Sequence, residues 1–249
     1  MVSRYLQACI DRQATGLIAP LTALKVFNPL IYEWAGNHAL SATLSGSHAK
    51  GTAVKCCADI DIFISLSPTL NMNLSDIYDN LYNFFYVRGF NPRKQNVSIR
   101  ANHIHGTVDL VPGRKQDYVS NYHSLYVNKR QTWTQTNIDT HIAAVTQSGK
   151  TNLIKLVKIW RERQQLEFPS LYLELAVIRS TQNYFSFDLT SEFKYTMTWF
   201  YNNIQTAHFV DPSNTNNILS DDLTMSEKAT IKTRAGFAAV TNDFSKVVW

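Results

Sequence analysis

Three aspartates carry the chemistry that this sequence offers. Asp59 and Asp61 stand two apart in the run ADIDIFISL, and Asp109 lies in TVDLVP. Side chains alternate faces along a strand, so Ile60, Ile62, Ile64 and Leu66 share one face and Asp59, Asp61, Phe63 and Ser65 the other. Asp is depleted in strands and costly beside an apolar layer unless something compensates its charge. Two carboxylates on one face, roughly 6.6 Å apart at about 3.3 Å per residue, offer hard oxygen ligands to divalent cations. A lone Asp-x-Asp on an edge strand also serves as a solvated face or as a guard against edge-to-edge pairing. The turn in front favours the metal account, because Gly46, Ser47, Gly51 and Thr52 are small and let backbone N–H groups approach an anion closely. Asp109, on the opposite face from Val108 and Leu110, could meet Asp59 and Asp61 from a neighbouring strand and complete a three-carboxylate cluster.

The elements that must position these groups follow from periodicity. Residues 44–66 read as strand, polar turn, short connection and second strand. Upstream, Leu6, Cys9, Ile10, Leu17, Leu21 and Leu24 have helix-like spacing, and Gly16, Pro20 and Pro29 are expected to break the stretch into two or three segments. Asn73 or Ser75 can cap the next helix, whose apolar stripe of Leu74, Ile77, Tyr78, Leu81, Phe84 and Phe85 ends at Gly89. Val97 and Ile99 alternate with polar residues, and Ile104 to Val111 reads as a strand hairpinned to them around Ala101 to His103. His103 and His105 are left as loop or edge residues. TNLIKLVKIWRER, from Thr151, is apolar on most of its circumference and reads as a buried helix. There Glu162 can pair with Lys158 at i, i+4.

Composition bounds the class. With 249 residues and 45% hydrophobic content the chain can bury a sizeable core, as one large domain or two lobes. No apolar run approaches a membrane span, so a soluble protein without a membrane partner is expected. Cys9, Cys56 and Cys57 give neither a disulfide framework nor metal-ligand spacing, which fits a reducing cytoplasm and structural roles for all three. A net charge of +5 suits nucleotides or nucleic acid, although only 17% of residues are charged.

Gly46-Ser47, Lys50-Gly51-Thr52 and Asp59-Ile60-Asp61 together resemble the signature of the polymerase-β-like nucleotidyltransferases. Within that superfamily the chain is most similar to the branch of cyclic GMP-AMP synthase, oligoadenylate synthetase, the bacterial CD-NTases and the archaeal CCA-adding enzymes. Val108 to Pro112 resembles the strand holding the third carboxylate. Trp133, Thr136-Asn137 and His141 are similar to the family's connection into a helical lobe, with Ile138 where the family has proline. LIKLVKIW resembles the helix whose second lysine, here Lys158, contacts the triphosphate; the Lys158–Glu162 pair remains the alternative account. Ser170-Leu171-Tyr172-Leu173-Glu174 resembles the CD-NTase helix whose serine reaches the same phosphates, while Pro169-Ser170 is also an ordinary helix start. Asp211 to Ile218 is similar to a motif that the branch places before its last helix, for which Thr224 and Glu227 supply a capping box. The resemblance covers roughly residues 36–240.

What the resemblance implies is an α/β fold, α+β in stricter usage. It comprises a nucleotidyltransferase core with a small mixed sheet over residues 1–115 and a helical lobe over 116–249, closing a cleft for nucleotide. It also implies two Mg²⁺ ions, with Mn²⁺ able to substitute, on Asp59, Asp61 and Asp109, and NTP or dNTP contacts from Gly46, Ser47, Lys50, Lys158 and Ser170. The expected activity is template-independent joining of nucleotides into a cyclic or short linear messenger for an antiviral-defence effector, by a two-metal mechanism. Extension of an RNA or DNA primer is the alternative enzyme, and a catalytically inactive nucleotide-binding module the alternative from another class.

Overall fold

A computed structural model describes residues 2–103, 106–184, 186 and 188–249. In chain order the elements begin with α1 (Val2–Arg12), α2 (Ile18–Ala35), β1 (Ala39–Leu44), α3 (Gly46–Ala49), β2 (Ile60–Leu66) and α4 (Leu74–Val87). There follow β3 (Arg93–Lys94), β4 (Ile99–His103), β5 (Gly106–Lys115), β6 (His123–Val127), β7 (Thr132–Thr136) and α5 (Ile138–Thr146). The C-terminal half holds α6 (Thr151–Arg163), α7 (Ser170–Ser180), α8 (Leu189–Asn203), β8 (Val210–Asp211), β9 (Asn214–Ile218) and α9 (Met225–Val240). Among the described residues no helix is long and apolar enough to cross a membrane.

The chain forms two compact units. One comprises residues 16–50 and 59–142, the other residues 1–15, 51–58 and 143–249. β6 and β7, downstream of the boundary expected at 115, belong to the sheet of the first unit.

The sheet unit is built on β5. β2 runs parallel to it, β4 lies antiparallel on its other side, and β6 pairs with its C-terminal end, giving a mixed sheet edged by β1, β3 and β7. Ile60, Ile62, Ile64 and Leu66 alternate onto one face with Val108 and Leu110. Ala23, Phe27 and Ile31 of α2 and Ile77, Tyr78, Leu81 and Phe85 of α4 belong to the same core. Each of the large apolar side chains sealed there contributes about 1.5–3 kcal/mol. That face is committed to packing, so the polar partners on β2 and β5 must take the other.

Local signals explain most boundaries. α4 ends at Arg88 and Gly89, whose φ of +78° needs no Cβ, with the Phe90 N–H donating to the Phe85 carbonyl. The break upstream falls once, between α1 and α2. Pro20 lies in the first turn of α2, where its missing N–H costs nothing, and Pro29 sits inside the helix without ending it. The expected stripe is also divided: Leu6, Cys9 and Ile10 are in the core of the helical unit, while Leu17 and Leu21 are exposed. The hairpin turn is not at Ala101–His103, since these residues are strand and His103 pairs with Gly106. Ile104 and His105, called strand and edge above, lie outside the described residues.

The helical unit gathers α1, α6, α7, α8 and α9 around Trp160, Tyr172, Phe193, Met197 and Phe200. The α9 capping box forms as expected: the Glu227 N–H donates to Thr224 Oγ1, and Glu227 Oε2 accepts from the Thr224 N–H at 2.6 Å. Asp211 is a turn residue. Its carboxylate accepts from the Ser213 N–H and hydroxyl and from Asn217 Nδ2, tying the β8–β9 hairpin.

Candidate active site

β2 and β5 pair in a register that sets Asp61 directly opposite Asp109, and the β4–β5 register sets Arg100 opposite Asp109 on its other side. Three ionic side chains therefore lie in a row across three adjacent strands. Asp59 immediately precedes β2. The Arg100 guanidinium binds Asp109 through both oxygens, Nε to Oδ1 at 2.9 Å and Nη2 to Oδ2 at 2.7 Å. The same Nη2 donates to Asp59 Oδ2 at 2.6 Å. Such bidentate, charge-assisted bonds are among the stronger and more directional ones that side chains make.

Asp61 holds its place through the turn before it. The Ser45 N–H donates to the Asp61 carbonyl at 2.8 Å, and Gly46 follows with φ +58°. A Cβ on Gly46 would stand 1.9 Å from Asp61 Oδ2, so this glycine is required both for its backbone and for the approach of the carboxylate. Burial pushes the Asp61 carboxyl up to about 7, and the negative charges of Asp109 and Asp59 add to the rise. Lys50, buried at the end of the α3 turn, and Arg100 pull in the other direction without cancelling it.

A carboxyl raised first by burial and then by two neighbouring carboxylates marks a site that disfavours further negative charge. The donors are hard oxygens, the kind that Mg²⁺ and Mn²⁺ prefer, so the residues fit such a cation in chemistry. Their arrangement is a different matter. Among the described residues no group of three or more His, Cys, Asp or Glu side chains is disposed to hold a metal ion, and Arg100 occupies Asp59 and Asp109.

Of the expected phosphate-binding residues, Gly46, Ser47 and Lys50 belong to the sheet unit with the carboxylates, and Lys158 and Ser170 belong to the helical unit. Lys158 does not pair with Glu162, which bonds Arg161 instead. The Lys158 ammonium is buried, donating to Glu174 Oε1 at 2.7 Å and Thr52 Oγ1 at 2.9 Å, while the Thr52 hydroxyl donates to the same Glu174 oxygen at 2.9 Å. Ser170 opens α7 and is exposed, its hydroxyl accepting from Arg161 Nη1 at 3.1 Å on the wall of a cavity of about 740 Å³. Arg100 is thus the participant that the sequence reading did not single out, and Thr52 and Glu174, read there only as motif positions, are the partners of Lys158. Arg100 was within reach: pairing β4 with β5 up to Gly106 puts it against Asp109.

No protein-family model matches the sequence, and no curated protein matches it. Solved structures do. The Bradyrhizobium diazoefficiens CD-NTase CdnG in complex with GTP superposes with a TM-score of 0.80 at 12% identity, over 95% of this chain and 90% of that one. E. coli MS115-1 CdnC with ATP gives 0.76 at 18% identity, over 93% and 89%. The Rhodothermus marinus CdnE c-UMP-AMP synthase with Apcpp and Upnpp gives 0.70 at 10% identity, over 92% and 94%. The fold of this chain is therefore the fold of these CD-NTase structures.

Proposed function

We propose that this protein is a template-independent nucleotidyltransferase that joins NTPs into a cyclic or short linear oligonucleotide. The observation that carries the reading is the parallel register of Asp61 against Asp109, with Asp59 beside them and the small-residue turn Ser45–Lys50 in front. In the reaction the acceptor 3′-hydroxyl oxygen bonds to the α-phosphorus of the donor while the α–β phosphoanhydride bond breaks and pyrophosphate leaves. Two divalent cations, when bound, would stabilise the attacking and leaving oxygens.

The chain's own groups divide the remaining work. Asp59, Asp61 and Asp109 would hold the cations, and Asp109 can also help remove the proton from the acceptor hydroxyl. Gly46, Ser47 and Lys50 receive donor phosphates, the first two through backbone N–H groups and the Ser47 hydroxyl and the last through its charge. On the helical unit Ser170, exposed at the start of α7, is the proposed phosphate contact, while Lys158, buried on Glu174 and Thr52, takes a structural role and a phosphate contact is its alternative. Formation of a cyclic product is supported by the likeness to CdnE described as a c-UMP-AMP synthase; a defence effector that responds to it is part of the proposal.

Incubating the pure protein with each labelled NTP and dNTP, Mg²⁺ or Mn²⁺, with and without an oligonucleotide, and identifying products by mass tests the reading. Short products from free NTPs, lost in Asp61→Asn, are expected. Long tails on the oligonucleotide would establish the primer-extending alternative, and no product under any condition would leave an inactive nucleotide-binding module.

A further inference from the structure

Arg100 stands where a cation shared by Asp59 and Asp109 would stand. Its Nη2 bonds Asp59 Oδ2 and Asp109 Oδ2 together, at 2.6 and 2.7 Å, and its Nε takes the second oxygen of Asp109. The guanidinium bonds Asp59 and Asp109, and Asp61 stands on the far side of Asp109 in the strand order. The cluster is therefore divided, with two carboxylates neutralised by an arginine and the third, Asp61, outside that arrangement. A divalent ion bridging Asp59 and Asp109 would need lone pairs on the oxygens that Arg100 holds. It would also stand beside a fixed positive charge, and like charges at such distances repel strongly in a partly desolvated site. The Arg100 side chain is 31% exposed, so the guanidinium has solvent to move into.

Resting on the nucleotidyltransferase reading, we infer that Arg100 is an internal counter-cation that competes with a divalent metal for Asp59 and Asp109, so that loading the site requires the guanidinium to withdraw. It holds the carboxylates apart from metal when metal is scarce and sets the concentration at which the site fills. The rival role for the same geometry is a strut that orients Asp109 for metal. The two differ in sign, since removing a competitor tightens metal binding and removing a strut weakens it.

The test is a titration of nucleotide-free protein with Mn²⁺, reading free Mn²⁺ by its electron paramagnetic resonance, for wild type, Arg100→Gln and Arg100→Lys. Arg100→Gln should bind Mn²⁺ about ten-fold more tightly, equal to about 1.4 kcal/mol. Arg100→Lys, which keeps the charge but not the fork, should fall between it and wild type. Adding Asp59→Asn to Arg100→Gln should cancel the gain. Unchanged or weaker binding in the arginine variants, or a gain that survives Asp59→Asn, overturns the inference. If Arg100→Gln does not fold, the sign of the change in Arg100→Lys decides. Turnover by wild type without a Mn²⁺ gain in the variants defeats this inference alone, whereas a gain with no turnover by any protein defeats the functional reading alone.

Discussion

Lys158 and Glu174 form an ion pair of 2.7 Å with both side chains sealed from solvent, and the Thr52 hydroxyl bonds to each of them. The pair joins α6 to α7 and fastens to them the segment that follows Lys50-Gly51. Removing one partner of a buried pair leaves the other charged and stranded, at about 3–5 kcal/mol. Lys158→Ala should therefore lower the melting temperature by on the order of 10 °C in a chain of this size. Glu174→Gln, which leaves the ammonium a neutral acceptor, should cost less. Calorimetry on both variants checks this. A Lys158→Ala protein that melts like wild type but shows a raised KM for NTP would instead establish the phosphate contact.

Asp61→Asn should separate activity from stability. The substitution removes a charge from a site that disfavours it, so the melting temperature should hold or rise in metal-free buffer. Turnover should fall by about 10³-fold or more, as expected when several kcal/mol of transition-state stabilisation are lost. Wild-type turnover in this variant would sink the carboxylate mechanism.

The same group makes metal-free stability depend on pH. Asp61 keeps its proton up to about 7 in the folded chain but only to about 3.9 when unfolded. Between these values the folded state binds more protons, so its contribution is fully present below the unfolded pKa and is lost as pH rises through about 7. Melting temperature should accordingly fall from about pH 5 to about pH 7.5 without metal, and less steeply in Asp61→Asn. Mg²⁺ should offset the fall on the basic side. Equal slopes in the two proteins would show that Asp61 is not the titrating group.

Much of this site is legible in the sequence because strand alternation is a strong constraint. Once Ile60, Ile62, Ile64 and Leu66 take the core, Asp61 has to take the other face, and the same holds for Asp109 against Val108 and Leu110. Arg100 escaped for a reason of register. A turn drawn at Ala101–His103 carries Arg100 away from Asp109, whereas the observed pairing of His103 with Gly106 sets the two opposite. The burial of Lys158 escaped for a different reason. Its partners are Glu174 on the next helix and Thr52, 106 positions away, and no local pattern on α6 announces either. The local partner that i, i+4 spacing offered, Glu162, bonds Arg161 instead.

Gly46→Ala tests the fit between the turn and the carboxylate. Alanine meets two penalties there: a backbone at φ +58°, worth roughly 1–2 kcal/mol for an L-residue, and a Cβ at 1.9 Å from Asp61 Oδ2. The second can be relieved only by moving the Asp61 side chain or the turn, so turnover should fall by about 10²-fold, the scale expected when a reacting geometry shifts by about 1 Å. A double-mutant cycle isolates that term. In an Asp61→Ala background the carboxylate is gone and only the Asp61 Cβ, 3.1 Å from the new methyl, remains, so Gly46→Ala should then cost little beyond the backbone penalty, a non-additivity of about 1 kcal/mol or more in thermal or denaturant stability. Additive costs would mean that Asp61 and Gly46 do not press on each other, and that the turn positions the carboxylate by its backbone alone.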